Sequence, residues 1–172
     1  MKTLILGGIR SGKSRFAEKL ARETQRPVTY VATAMAGDAE MAARIAHHRQ
    51  HRPAEWSVVE EPLALGASLA AHTASDGCVL VDCLTLWLSN LLLAQDDAVF
   101  RRERACLIEA LATLRGDVIL VSNETGLGIV PLGELTRRYC DEAGRLHQDL
   151  ASLSDRVILM VAGLPLFLKG AS

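Results

Sequence analysis

The strongest chemical signal in this sequence is the segment from Gly7 to Ser14. It reads Gly-Gly-Ile-Arg-Ser-Gly-Lys-Ser and satisfies the pattern G-x-x-x-x-G-K-S/T in full. Gly7 and Gly12 allow a tight turn that presents backbone N–H groups inward. Lys13 can reach the β- and γ-phosphates of a nucleotide, and Ser14 can hold Mg²⁺. The segment therefore predicts a phosphate-binding loop for a nucleoside triphosphate with Mg²⁺.

The sequence on either side of this loop agrees with that prediction. Leu4–Leu6 is a short apolar run typical of a strand, and Arg15–Glu23 has helical spacing with Phe16 and Leu20 on one side. A strand, a glycine-rich turn and a helix in that order place the phosphates at the positive amino end of the helix. An ordinary glycine-rich turn is the alternative, and the flanking pattern disfavours it.

Asp82 is a second candidate, because it closes the apolar run Cys78–Val81. A carboxylate at the end of a buried parallel strand is where phosphate-loop proteins place an acid that organises Mg²⁺. The alternative is an acid that only caps the following helix. The phosphate loop already predicts a metal-bound nucleotide nearby, and this favours the metal role for Asp82.

Histidines are concentrated in one short stretch, together with arginines. Three of the five histidines fall within five residues, and the stretch comprises His47, His48, His51, Arg44, Arg49 and Arg52. His47 and His51 are four residues apart and share one helix face. Three interpretations remain open: a metal-binding pair, a solvated basic helix end before Pro53, or a histidine nucleophile beside arginines that bind phosphate.

Short apolar runs alternate with longer amphipathic segments along the chain. The predicted strands are Thr3–Leu6, Val28–Ala32, Trp56–Glu60, Cys78–Asp82, Val118–Ser122 and Arg156–Val161. The predicted helices are Ser14–Thr24, Ala39–His51, Leu63–Thr73, Leu84–Ala94, Phe100–Leu114 and Leu132–Ser152. This alternation predicts an α/β fold with a mostly parallel sheet, helices on both faces, and ligands beyond the carboxyl ends of the strands.

Composition limits the class of protein. At 172 residues the chain is expected to form one domain, residues 1–172, and 49% hydrophobic with 23% charged residues is typical of a soluble globular protein. A net charge of −1 argues against nucleic acid or a membrane surface as partner. No run approaches the ~20 apolar residues of a membrane span, and no signal-peptide pattern is present, so we expect a cytoplasmic protein. Cys78, in an apolar run, is expected to be a buried thiol.

Several of these segments together resemble one enzyme family. The resemblance rests on Gly7–Ser14, Tyr30–Ala34, Glu40–His48, Arg52–Pro53, Trp56, Asn123–Pro131 and Val161–Pro165. In these segments the sequence is similar to the bifunctional adenosylcobinamide kinase / adenosylcobinamide-phosphate guanylyltransferases of cobalamin biosynthesis, nearly from end to end. The combination of these motifs is far more specific than a phosphate loop alone.

The resemblance implies a RecA-like P-loop NTPase fold, a homotrimer and two reactions. The family phosphorylates the aminopropanol hydroxyl of adenosylcobinamide with ATP or GTP. It then transfers GMP from GTP to that phosphate through a guanylyl-histidine, here His47, giving adenosylcobinamide-GDP and pyrophosphate. Lys13 is the second expected catalytic residue, and Ser14 and Asp82 are the expected Mg²⁺ ligands. The nucleotide contacts that the family implies are Gly7, Gly8, Ile9, Arg10, Ser11, Gly12, Lys13, Ser14, Ala32, Thr33, Ala34, His48, Arg49, Gln50, His51, Glu60 and Asp82.

A few positions depart from the family pattern or allow more than one interpretation. Some relatives have Glu where this chain has Asp82, and His147 stands where Asn is common. Glu60 is followed by Glu61, so the aligned acid is uncertain by one residue. Glu124, just beyond the fifth predicted strand, could orient or deprotonate the substrate hydroxyl, or form a loop salt bridge.

Two other functions remain open at this stage. One is a small-molecule P-loop kinase without nucleotidyl transfer. The other is a nucleotide-driven switch or motor of RecA type, which the near-neutral charge disfavours.

Overall fold

A computed structural model describes residues 1–35 and 53–170 of the chain. Seven strands form one sheet: β1 Lys2–Gly7, β2 Val28–Ala32, β3 Ser57–Glu60, β4 Cys78–Asp82, β5 Asp117–Asn123, β6 Arg156–Val161 and β7 Leu164–Lys169. The described helices are α1 Lys13–Glu23, α2 Leu65–His72, α3 Leu84–Leu93, α4 Asp97–Thr113 and α5 Glu134–Leu153. The strand order is β3-β2-β4-β5-β1-β6-β7, and only the β6–β7 pair is antiparallel.

The central strands carry apolar side chains on both faces because both faces of the sheet are covered. On β1, Leu4 and Leu6 belong to one hydrophobic cluster and Ile5 belongs to the cluster on the opposite face. Successive side chains of a strand point to opposite faces, so a strand buried on both sides needs no polar alternation. Cys78 takes part in the same pattern: it is buried, which confirms the prediction, and burial raises the pKa of its thiol to about 11.

Helices cover both faces, as predicted, but they are divided unevenly. α1 packs Ala17 and Ala21 against the cluster that contains Ile5. The opposite cluster takes its helical side chains from α2, α3, α4 and α5, and includes the fully buried Trp87. The indole N–H of Trp87 donates to the carbonyl oxygen of Leu63 at 2.7 Å, so this large side chain is buried without an unsatisfied polar atom.

Two differences from the predicted elements have clear physical causes. α4 begins at Asp97 rather than Phe100, because the Asp96 side chain accepts hydrogen bonds from the two N–H groups of Ala98 and Val99 and caps the helix. β7 was not predicted at all. It follows a two-residue turn of Ala162 (φ 52°) and Gly163 (φ 83°), and its side chains are mostly exposed, so it lacks the apolar signal of the buried strands.

The remaining strand ends agree with the predictions within one residue, and the other described helices within two. The predicted helix Ala39–His51 lies outside the described residues. Within the described residues, 1–35 and 53–170, every helix is too short or too polar to cross a bilayer.

Candidate active site

The phosphate-binding loop follows β1 directly and has backbone angles that its glycines make possible. A Cβ on Gly7 would lie 2.5 Å from the carbonyl oxygen of Met160 on β6, so only glycine fits between the two strands. Gly12 has φ 94° and starts α1, and Arg10 also has a positive φ of 55°. Non-glycine residues seldom adopt that region, and such strain is concentrated at binding and catalytic sites.

Lys13 is folded back over this loop. Its Nζ donates to the carbonyl oxygen of Gly8 at 2.6 Å, and the residue is only 7% exposed. Burial lowers the pKa of the Lys13 ammonium, and the neighbouring Cys83 and Asp82 oppose that shift. The positive group is therefore held beside the end of β4, at the place where an anion would gain most from it.

Strand register brings the predicted residues to one edge of the sheet. Ala32 on β2 pairs with Glu60 on β3 and with Asp82 on β4, and Gly7 on β1 pairs with Asn123 on β5. All five strands run in the same direction, so these positions share the carboxyl edge. The structure thus brings together the phosphate loop, Ala32–Ala34, Glu60 and Asp82. The first and last of these residues, Gly7 and Asp82, are 75 residues apart in sequence.

Thr33 fastens β2 to the turn after β4. It is fully buried, and its hydroxyl donates to the carbonyl oxygen of Cys83 at 2.6 Å while accepting from the Cys83 N–H at 3.0 Å. The Asn90 side chain donates to the carbonyl oxygen of Thr33 at 2.9 Å. Thr33 was predicted as a nucleotide contact. In the structure its hydroxyl also binds the backbone of Cys83 and so holds this residue, which follows Asp82, in position.

Glu60 and Glu61 have different surroundings. Oε1 of Glu61 accepts from the N–H groups of Leu63 and Ala64 at 2.9 and 2.7 Å, in the turn that leads into α2. Glu60 ends β3 and is exposed at the carboxyl edge. Oε1 of Glu61 is therefore engaged by the backbone before α2, whereas Glu60 lies at the carboxyl edge of the sheet.

Ser14 and Asp82 are suited to Mg²⁺ bound together with a nucleotide. Ser14 lies in the first turn of α1 and Asp82 ends β4, and both are half-buried. Mg²⁺ prefers oxygen ligands and usually takes only one or two from protein, with phosphates and water supplying the others. Within residues 1–35 and 53–170, no three His, Cys, Asp or Glu side chains are grouped closely enough to form a metal site of their own. This donor set fits a metal that arrives with its nucleotide.

A buried polar cluster adjoins the phosphate loop and was not predicted. His147 of α5 lies with Nε2 2.8 Å from Ser122 Oγ and Nδ1 3.7 Å from Glu124 Oε2. The N–H of Glu124 donates to the carbonyl oxygen of Gly7 at 3.0 Å. Sequence pointed to Glu124 and His147 separately, but nothing in it indicated that they meet, because residues 122 and 147 are distant along the chain.

The predicted nucleophile and its neighbours belong to the part of the chain between the two described ranges. His47, His48, Arg49, Gln50 and His51 all lie outside the described residues. The described residues before them end at Met35, three residues beyond β2. After them the described residues resume at Pro53, close to Trp56, which is buried and has the Arg22 guanidinium 5.9 Å from its ring centre.

Comparison with known proteins identifies the family. Residues 3–168 match the family model of cobinamide kinase / cobinamide phosphate guanyltransferase. The bifunctional adenosylcobalamin biosynthesis protein CobP of Pseudomonas aeruginosa is 61% identical over 170 residues, covering 99% of this chain and 98% of that protein. The corresponding CobU protein of Salmonella typhimurium is 41% identical over 182 residues, with 98% and 100% covered.

Solved structures agree on the fold. The RadB recombinase superposes with a TM-score of 0.54 at 18% identity, covering 92% of this chain and 73% of that one. An ATP synthase subunit of Nanoarcheaum equitans gives a TM-score of 0.53 at 14% identity, covering 92% and 46%. These likenesses agree with the predicted RecA-like α/β fold. With the family match over almost the whole sequence, this chain belongs to the bifunctional cobinamide kinase / cobinamide phosphate guanylyltransferase family of enzymes.

Proposed function

We propose that this chain phosphorylates the aminopropanol hydroxyl of adenosylcobinamide with ATP or GTP, and then transfers GMP from GTP to the new phosphate. The second step gives adenosylcobinamide-GDP and pyrophosphate and passes through a guanylyl group on His47. The observation that carries the proposal is the gathering of Lys13, Asp82 and the glycine loop at one sheet edge, in a chain whose family performs both activities.

The kinase step requires positioning and charge stabilisation rather than covalent catalysis. The loop from Gly7 to Ser14 is proposed to bind the phosphates through its backbone N–H groups. Lys13 is proposed to move its ammonium from the Gly8 carbonyl to the β- and γ-phosphates, where it offsets the charge that develops on the leaving nucleotide. Mg²⁺, held by Ser14 and Asp82, would supply further neutralisation of the phosphate oxygens.

The guanylyl step needs a nucleophile that reaches the α-phosphorus. The last described residue before the segment that contains His47 is Met35, just past the carboxyl end of β2. His47 is 12 residues further on, and an extended chain covers about 3.3 Å per residue, so distance does not prevent access to the phosphate loop. Attack by imidazole divides one displacement into two, with pyrophosphate leaving in the first.

The remaining nucleotide contacts are proposed from their positions and from the family. Ala32, Thr33, Ala34 and Glu60 lie at the carboxyl edge beside Asp82, where the nucleoside of a bound GTP would extend from the loop. His48, Arg49, Gln50 and His51 are proposed as further contacts because they adjoin His47 in sequence, and the positive charge of Arg49 suits a triphosphate.

We also propose a homotrimer in the cytoplasm. Support for self-association comes from β7, where Leu164, Leu166 and Leu168 are each more than half exposed on an edge strand of the sheet. All four cysteines are free, which suits a reducing compartment.

Covalent labelling tests the central proposal. GTP labelled with ³²P at its α-phosphate should label the protein through a bond that is labile in acid and stable in base, as expected for a phosphoramidate. His47→Ala should abolish the label, while His72→Ala, at the exposed end of α2, should leave it unchanged. Full labelling of His47→Ala would refute His47 as the nucleophile. Formation of corrinoid phosphate and corrinoid-GDP by the wild type, followed by mass spectrometry, tests the two reactions directly.

A further inference from the structure

Glu124 occupies a position from which it can reach a substrate above the phosphate loop. It follows β5, whose last residue pairs with Gly7, and its own N–H donates to the Gly7 carbonyl oxygen. Its side chain is 21% exposed, so it is mostly enclosed but still reached by solvent. β5 lies between β1 and β4, so Glu124 stands between the phosphate loop and the strand that ends at Asp82.

The two carboxylate oxygens of Glu124 have different neighbours. Oε1 accepts from the N–H of Gly126 at 2.6 Å, which fixes the carboxylate within its own loop. Oε2 faces Nδ1 of His147 at 3.7 Å. Each carboxylate oxygen can accept two hydrogen bonds, so Oε1 and Oε2 both keep a lone pair beyond these contacts.

His147 is an unusual residue to bury at this place. It is 7% exposed and lies in α5 among apolar residues, with Ala143, Leu146 and Leu150 buried in the same helix. Burial lowers the pKa of its imidazole, and the neighbouring Glu124 carboxylate opposes that shift. A neutral imidazole carries one N–H. Placed on Nδ1, this N–H faces the negative oxygen of Glu124, and Nε2 then accepts from the hydroxyl of Ser122.

From this arrangement we infer that Glu124 accepts the proton of the cobinamide hydroxyl in the kinase step, and that His147, anchored by Ser122, positions its carboxylate. The inference rests on the proposed function. The hydroxyl oxygen forms a bond to the γ-phosphorus, the bond from that phosphorus to the β–γ bridging oxygen breaks, and the nucleoside diphosphate leaves. The hydroxyl proton passes to Oε2 of Glu124, which becomes a neutral carboxylic acid and releases the proton to water afterwards.

The two reactions should depend on Glu124 very differently. The nucleophile of the kinase step is an alcohol, which must lose a proton as it attacks. The acceptor in the guanylyl step is a phosphate that is already ionised at neutral pH, so no base is required there. A carboxylate that serves as base therefore affects the first reaction alone, whereas a residue that only supports the loop affects both.

Glu124→Gln tests the base directly. It keeps the shape of the side chain and its acceptor for Gly126 but cannot take a proton. The kinase kcat with adenosylcobinamide should fall about 100-fold, within the usual range for loss of a general base, with the KM for the nucleotide unchanged. Guanylyl transfer from GTP to supplied adenosylcobinamide phosphate should stay within about twofold of wild type. Glu109→Gln, on the exposed part of α4, is the matched control and should leave both reactions unchanged.

Replacements of His147 test the positioning role. His147→Leu removes both polar contacts and should lower the kinase kcat about tenfold, since small misplacements of reacting groups are costly. His147→Asn keeps an N–H at the level of Nδ1 that can face Glu124, although it is too short to reach Ser122, and it should restore kcat to within about threefold of wild type. Urea unfolding of each variant establishes the fraction folded, so that rates refer to native protein.

The outcomes separate this inference from the proposed function. A normal kinase rate in Glu124→Gln would overturn the inference. So would an equal loss of both reactions in Glu124→Gln or in His147→Leu. In either case the wild type would still catalyse both reactions, and the proposed function would stand. A His147→Asn rate as low as that of His147→Leu would remove the positioning role. A wild-type protein that phosphorylated no cobinamide would instead overturn the proposed function, and this inference with it.

Discussion

Replacing Thr33 by valine is expected to destabilise the fold and to loosen the metal site. Valine matches threonine in shape but lacks the hydroxyl, so the N–H of Cys83 would lose its partner, and the Cys83 carbonyl oxygen would keep the N–H of Trp87 at 3.3 Å. The unpaired N–H costs about 1–3 kcal/mol, and the hydrogen bond lost at the carbonyl about 0.5–1.5 kcal/mol. Since Thr33 is fully buried and water cannot replace it, the free energy of unfolding should fall by about 2–4 kcal/mol.

Thr33→Ser provides the comparison. It keeps both hydrogen bonds and loses one buried methyl group, which costs about 1 kcal/mol. Urea unfolding followed by the fluorescence of the two tryptophans measures both variants. A domain of this kind has about 5–15 kcal/mol of stability, so both should remain folded in buffer. Because Cys83 follows Asp82, Thr33→Val should also need more Mg²⁺ for half-maximal kinase activity, and Thr33→Ser should not.

The comparison can fail in two ways. If Thr33→Val were as stable as the wild type, the hydroxyl contacts would not contribute as the geometry indicates. If Thr33→Ser were the less stable variant, the buried methyl group rather than the hydrogen bonds would be what secures β2 to the end of β4. Either result would refute the account given for this residue.

Three further changes test other parts of the structure. Gly66→Ala should lower the free energy of unfolding by about 2 kcal/mol, because its Cβ would lie 2.5 Å from the backbone of α4. Gly144→Ala should raise it by about 0.5–1 kcal/mol, because no described atom lies within 4 Å of its Cβ and alanine favours a helix. Urea unfolding compares the two variants. The unfolded state protonates His147 more readily than the native state does, so wild-type stability should fall relative to His147→Asn as the pH drops below about 6.5, and a constant difference between pH 8 and pH 5 would contradict this. Iodoacetamide at pH 8 should modify exposed Cys106 and spare Cys83, whose burial raises its pKa to about 11; mass spectrometry of the native protein decides.

The main features of the sheet could be predicted from sequence because burial on both faces leaves a simple signal. Runs such as Val28–Ala32 and Cys78–Asp82 are mostly apolar, and their ends were predicted correctly. β7 could not be found in this way, because its side chains face outward and its formation depends on a turn and on pairing with β6. The start of α4 was missed for a related reason: an Asp cap extends a helix beyond its apolar face.

Positions in the site could be predicted where they follow from strand direction. Asp82, Glu60 and Ala32 end parallel strands, so their arrival at one edge was a consequence of topology. The backbone contacts of Glu61 before α2 could not be predicted, because two adjacent glutamates give the same local pattern. The contact between His147 and Ser122 joins a helix to a strand 25 residues away, and no local pattern indicates it.

At this edge, neighbouring polar residues are distinguished by what their side chains already bind. Thr33 and Glu61 direct their oxygens to backbone N–H and carbonyl groups, and such contacts set the positions of strands and helix ends. Among the described residues, Lys13 donates to the Gly8 carbonyl and, more distantly, to the Ser11 hydroxyl, both within its own loop. These are weak partners for an ammonium compared with a triphosphate. Nucleotide binding should therefore draw Lys13 away from the loop while Thr33 and Glu61 keep their contacts. Amide hydrogen exchange can detect this, since GTP with Mg²⁺ should protect residues of the phosphate loop strongly and the N–H of Ala64 hardly at all; equal new protection at both would show that the whole edge, rather than the loop, responds to the nucleotide.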